Sequence, residues 1–104
     1  MNDRVAKLRE FLVQSPGDSF IKHALALEYI KAGNDAAARE MFEANLQSDP
    51  GYIATYYHLG KLLERAGEQQ QAINIYEQGM AASKTAGDMH TYSELQAAHD
   101  ELAY

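Results

Sequence analysis

The stretch Thr55-Tyr56-Tyr57-His58-Leu59-Gly60-Lys61-Leu62-Leu63-Glu64-Arg65-Ala66-Gly67 decides the fold. Tyr56, Leu59, Gly60 and Leu63 are spaced three, one and three apart, so they share one side of a helix. Gly60 lies within that apolar stripe, where a residue without a side chain admits a neighbouring helix at close range. Gly67 follows the last periodic residue and reads as a left-handed cap ending the helix. Beyond it Ala72, Ile73, Tyr76 and Met80 recur at helical spacing, so a second helix folds back on the first.

Working toward the amino terminus, the pattern returns. Ser15-Pro16-Gly17, Asp49-Pro50-Gly51 and Ser83-Lys84 punctuate the chain at intervals of 34 residues. On that register Leu25 falls on Leu59, Ala26 on Gly60, Ala32-Gly33 on Ala66-Gly67, Ala38 on Ala72 and Glu43 on Glu77. Gly33-Asn34 reads as the cap of the first hairpin, with the Asp35 carboxylate placed to cap the helix carrying Ala38, Met41, Phe42 and Leu46. At the amino end Val5, Leu8, Phe11 and Leu12 form another stripe, with Leu8 one period before Phe42, so this is a second helix without its first. At the carboxyl end Gly87-Asp88 stops one helix and caps another. There Met89, Tyr92, Leu95, His99 and Leu102 face inward, while Ser93, Glu94, Gln96, Asp100 and Glu101 form a solvated outer face. Helices are expected at about residues 3–14, 18–32, 36–48, 52–66, 70–83 and 88–103.

These residues resemble the tetratricopeptide-repeat (TPR) family. In the second repeat Tyr56 takes the leading aromatic slot, Leu59-Gly60 follow in register, Leu63 stands for tyrosine, Ala72 and Tyr76 match, and Lys84 replaces proline. In the first repeat Leu25, Ala26, Tyr29, Ala38, Phe42 and Pro50 agree. Lys22 sits where the aromatic belongs, a gap for Phe20 or Ile21 to cover. The resemblance implies an all-α, αα-superhelix fold in a single domain over 1–104. Its parts are a partial leading helix at 1–16, repeats at 17–50 and 51–84, and a capping helix at 85–104.

It also implies a function. First helices of TPR units line a concave groove that holds a peptide or helix of a partner protein. Carried over by position, Phe20, His23, Leu27, Ile30 and Lys31 would line it from one helix, Ala54, Tyr57, Lys61, Glu64 and Arg65 from the next, and Thr91 and Leu95 from the last. Phe20, Leu27 and Tyr57 would be apolar anchors, and Lys61 would pair with an acid of the partner. Lys31 and Arg65 stand in last helical turns, where a cation offsets the helix dipole in any case. The slots with which some TPR proteins grip a terminal carboxylate hold His23, Leu27, His58, Asp88 and Tyr92 here, which disfavours chaperone-tail binding. The alternative is a homodimer through the open amino-terminal helix, sensitive to Leu8 and Phe11.

Composition narrows the partners. The net charge of −6 repels nucleic acid and anionic lipid. Without cysteine there is no disulfide or thiolate site. The start, Met1-Asn2-Asp3-Arg4, lacks a signal-peptide layout, and cytoplasm is the expectation. His23, His58, His90 and His99 form no pair four apart on a helix, so no metal is expected. Ser19-His23 and His99-Asp100 have no glycine-rich loop to stabilise an oxyanion, so neither catalysis nor a cofactor is expected.

Overall fold

The structure, a computed structural model, describes residues 3–104, so the Met1-Asn2 start lies outside the described residues. Among the described residues six helices follow one another: α1 (Asp3–Gln14), α2 (Ser19–Lys31), α3 (Asp35–Ser48), α4 (Ala54–Arg65), α5 (Gln69–Ala86) and α6 (Met89–Ala103). Among the described residues there is no strand, and no helix is long and apolar enough to cross a membrane. The helices group into two compact units, one ending at Asp49 and the other spanning Pro50–Tyr104.

Three helix ends share one device. Gly33, Gly67 and Gly87 have φ of 77°, 79° and 73°, in the left-handed region that a side chain disfavours. The residue after each sends its amide back across the last turn: Asn34 to Tyr29, Glu68 to Leu63 and Asp88 to Ser83, at 2.8–2.9 Å. Each turn then leads within two residues into a helix packed on the one just ended, so α2 and α3, α4 and α5, and α5 and α6 run antiparallel.

In the first unit the core is Val5, Leu25, Ala26, Tyr29, Ala38 and Phe42. The α3 cap differs from expectation. Asn34, not Asp35, accepts the Ala37 amide at 3.1 Å, because the helix begins at Asp35 and the capping side chain must sit one residue before it. Arginines fasten α1 to α2. Arg4 Nε donates to the buried Glu28 at 2.9 Å, and Arg9 Nε donates to the Tyr29 hydroxyl at 2.8 Å. Ser19 donates to Asp49 at 2.6 Å, tying the start of α2 to the end of α3. The gap left by Lys22 is not covered by Phe20, whose ring is 67% exposed; Ile21 is half-buried. The Lys22 ammonium instead donates to Ser48 Oγ at 3.0 Å.

In the second unit Tyr56, Leu59, Leu62, Leu63, Ala72, Tyr76, Leu95 and Ala98 are buried. Here the close approach at Gly60 has a named cause, since a Cβ there would stand 2.2 Å from the Tyr76 ring. Gly79 is a second such point. A Cβ on it would lie 2.6 Å from Tyr56 Cβ and 3.0 Å from Leu95, so α5 needs bare backbone where it meets both α4 and α6. One period earlier Gly79 corresponds to Asn45 and Tyr56 to Lys22. The first repeat thus loses its aromatic at the position pair where a larger residue replaces the glycine. On α6, Leu95, Ala98 and His99 are buried, but Met89, expected inward, is 52% exposed because it opens the helix ahead of the packed stripe. Helix α5 runs to Ala86, three residues beyond expectation, since Lys84 stands where a proline would end it.

Candidate protein-binding groove

The expected site residues divide between the two units. In the first, Phe20 is exposed and Leu27 and Ile30 are half-buried. His23 is buried, with its ring centroid 5.6 Å from that of Phe42, so this imidazole packs against α3. Lys31 is exposed, and its ammonium lies 3.4 Å from Glu28 Oε2, one turn back on the same helix. Glu28, buried between Arg4 and Lys31, is the charged core residue that the apolar pattern did not reveal.

In the second unit, Tyr57, Lys61 and Glu64 come together on α4. The Lys61 ammonium sits 5.6 Å from the Tyr57 ring centroid and 3.6 Å from Glu64 Oε2. Glu64 also accepts a hydrogen bond from the buried Tyr76 hydroxyl. Burial above all, then the bond to Glu64 and its charge, push the Tyr76 phenol well above the ordinary tyrosine range; Tyr57 and Glu101 add smaller effects. The phenol therefore stays protonated and serves as a fixed donor. Arg65 ends α4 and is exposed, as is Ala54 at its start. His58 is half-buried, and burial lowers its pKa, favouring the neutral ring.

Between α4 and α6 lies a groove of about 250 Å³ lined by Tyr57, Lys61, Glu94, Ala97, Ala98 and Glu101. Its α6 wall was missed. Glu94 and Glu101 read as parts of a solvated lid, and Ala97-Ala98 carry no chemical signal; the clue was two small residues midway between two acids seven apart. Thr91 donates its hydroxyl to Asp88 at 2.8 Å, and Leu95 is fully buried against Gly79.

The carboxyl-terminal helix is latched to α5 through His99. Its Nε2 lies 3.0 Å from Glu77 Oε2 and its Nδ1 2.9 Å from Asp100 Oδ1. Only an imidazolium donates from both nitrogens, and the two bonds, that to Asp100 first, raise its pKa. The Ser19 hydroxyl, one turn before His23, donates to Asp49. Among the described residues no three His, Asp or Glu side chains gather as metal ligands.

A TPR repeat-containing protein of Pseudomonas aeruginosa is 30% identical over 88 residues, covering 85% of this chain and 84% of that protein. The solution structure of a tetratricopeptide repeat domain protein from Salinibacter ruber superposes with a TM-score of 0.81 at 41% identity, covering 85% of this chain and 89% of that one. A protein from Bordetella parapertussis gives 0.82 at 29% identity, covering 99% and 90%. No family model matches the chain. The chain belongs to the TPR repeat-containing proteins, all-α members of the αα-superhelix class, and that fold supports a protein–protein interaction module.

Proposed function

We propose that this protein is an adaptor without catalytic activity that seats a peptide or helix of a partner protein in the groove between α4 and α6. The observation that carries the reading is the groove itself: half-buried Tyr57 at one wall, the small Ala97 and Ala98 at the other, and polar groups at the rim. An apolar side chain of the partner fills it, while Lys61, Glu94 and Glu101 set orientation. The test is capture from lysate with immobilised protein. Ala97→Tyr fills the groove without touching the Tyr76–Glu64 bond. Proteins retained by the natural chain should be lost with Ala97→Tyr and with Tyr57→Ala, at unchanged helicity. Retention by both variants would rule the groove out.

A second reading, self-association, is favoured by a separate observation. Phe11 is 47% and Val13 82% exposed on α1, beside a first-unit groove of about 350 Å³ lined by Arg9, Leu12, Val13, Leu25, Tyr29 and Met41. A second copy covering that face would form a symmetric dimer. Sedimentation over a range of concentrations tests it. A dimer dissolved by Phe11→Glu supports it, and a monomer throughout removes it.

A further inference from the structure

The charges around the α4–α6 groove are unevenly matched, and they specify its occupant. Lys61 is satisfied within its own helix by Glu64 and by the Tyr57 ring face. Glu94 has only His90, whose Nε2 lies 3.8 Å from Glu94 Oε1 and which is cationic only when protonated. Glu101 has no ion-pair partner among the described residues. The surrounding unit, Pro50–Tyr104, carries seven carboxylates against three Lys and Arg, so nothing nearby reverses the sign.

Resting on the groove reading above, we propose that the occupant is a basic segment of a partner protein, with two Arg or Lys side chains flanking one apolar residue. The spacing follows from the helix. Glu94 and Glu101 are seven residues apart on one face, which is ~10 Å along α6 at 1.5 Å per residue. A partner segment in the polyproline II conformation advances ~9 Å in three residues and, at three residues per turn, returns its side chains to the same face. The cations therefore sit three apart, and the apolar residue between them lies over Ala97-Ala98 against Tyr57. Guanidinium suits the site better than ammonium, because it meets a carboxylate with two donors and also stacks on a tyrosine ring. An acidic segment would meet both glutamates at close range and find Lys61 already engaged.

The test is titration of isotope-labelled protein, followed by amide chemical shifts, with three synthetic peptides of equal length. They carry leucine between two arginines, two glutamines or two glutamates placed three residues apart. The arginine peptide should shift the amides of Tyr57, Lys61, Ala97, Ala98 and Glu101, and the glutamate peptide should leave them unmoved. Replacing both rim acids, Glu94→Gln with Glu101→Gln, should weaken the arginine peptide roughly tenfold, the effect of two exposed ion pairs. The control Glu10→Gln with Glu40→Gln makes the same change of net charge on exposed positions of the first unit and should leave affinity unchanged. Equal weakening by both pairs would mean attraction to net charge alone and would overturn the proposal. So would a glutamine peptide binding as well as the arginine one, although the groove reading would then stand. If none of the three peptides moves the groove amides, the basic-segment proposal falls, and the Ala97→Tyr capture result decides separately whether the groove is used.

Discussion

Replacing Gly60 by alanine adds one methyl group, and the surroundings of that methyl determine the outcome. Its Cβ would fall 2.2, 2.6 and 2.7 Å from Cε1, Cζ and Cδ1 of Tyr76. The ring is fully buried and its hydroxyl is bonded to Glu64, so it withdraws only by giving up that bond. Overpacking of this kind costs ~1–3 kcal/mol. Losing a hydrogen bond to a charged group costs ~1.5–3 kcal/mol. Against these, alanine improves on glycine in a helix interior by ~1 kcal/mol. The net expectation is a loss of roughly 2–4 kcal/mol, which for a chain of this size lowers the melting midpoint by roughly 10–20 °C. Urea unfolding followed by far-ultraviolet circular dichroism measures it. The paired experiment repeats the substitution in a Tyr76→Ala background. There the opposing ring is gone and alanine at 60 should become stabilising, so the two effects are strongly non-additive. If Gly60→Ala is neutral with Tyr76 in place, or costs the same with Tyr76 removed, the ring does not seat on this glycine and the reasoning fails. Gly60→Leu, which pushes a whole side chain into the same space, should leave the second unit unfolded.

Gly79→Ala should also destabilise, by ~1–3 kcal/mol in the same urea assay, because its methyl meets Tyr56 Cβ rather than the far end of a side chain. Asn34→Ala should cost ~1 kcal/mol through the lost α3 cap. His99 gives a pH dependence of defined sign. Its pKa is raised on folding, so its stabilisation is complete below the ordinary histidine value of ~6.5 and is lost as pH rises through the folded value. The difference in midpoint between the natural chain and His99→Gln should therefore shrink from mildly acidic to alkaline pH, and a difference that is constant or grows with pH contradicts the latch. Asp88 acts in the opposite sense. Its hydrogen bonds from Thr91, the backbone one foremost, lower its pKa, so the advantage over Asp88→Ala should fade as pH falls through the acid range.

The helices, their turns and most of their inward faces are legible because each depends on spacing and on residues with restricted or unusual backbone preferences. Gly33, Gly67 and Gly87 marked three turns that all prove left-handed. Tyr56, Leu59 and Leu63 announced the α4 core. What remained hidden depended on pairing. Gly79 looked like an ordinary weak point in a helix until Tyr56 and Leu95 were placed against it. Glu28 has no apolar signature, and its burial follows from Arg4, 24 residues away. His23 holds a groove slot by register, and the packing of its ring near Phe42 leaves no mark in the spacing. Lys61 was the cation least explained by the helix dipole, and its partners, Glu64 and Tyr57, were on its own helix. The groove wall on α6 was the least legible part, since alanines and solvated glutamates are what any helical surface contains.

The unlike pairs at matching repeat positions, Tyr56 with Gly79 and Lys22 with Asn45, bear on how the chain avoids folding wrongly. Tandem copies of one motif risk mispairing, with the first helix of one copy seated on the second helix of the other. Here such a mistake would press a tyrosine against an asparagine and leave a lysine above a bare glycine. The divergence between the copies thus works as a lock and key within one polypeptide, since the exchanged arrangement loses the fit of tyrosine to glycine.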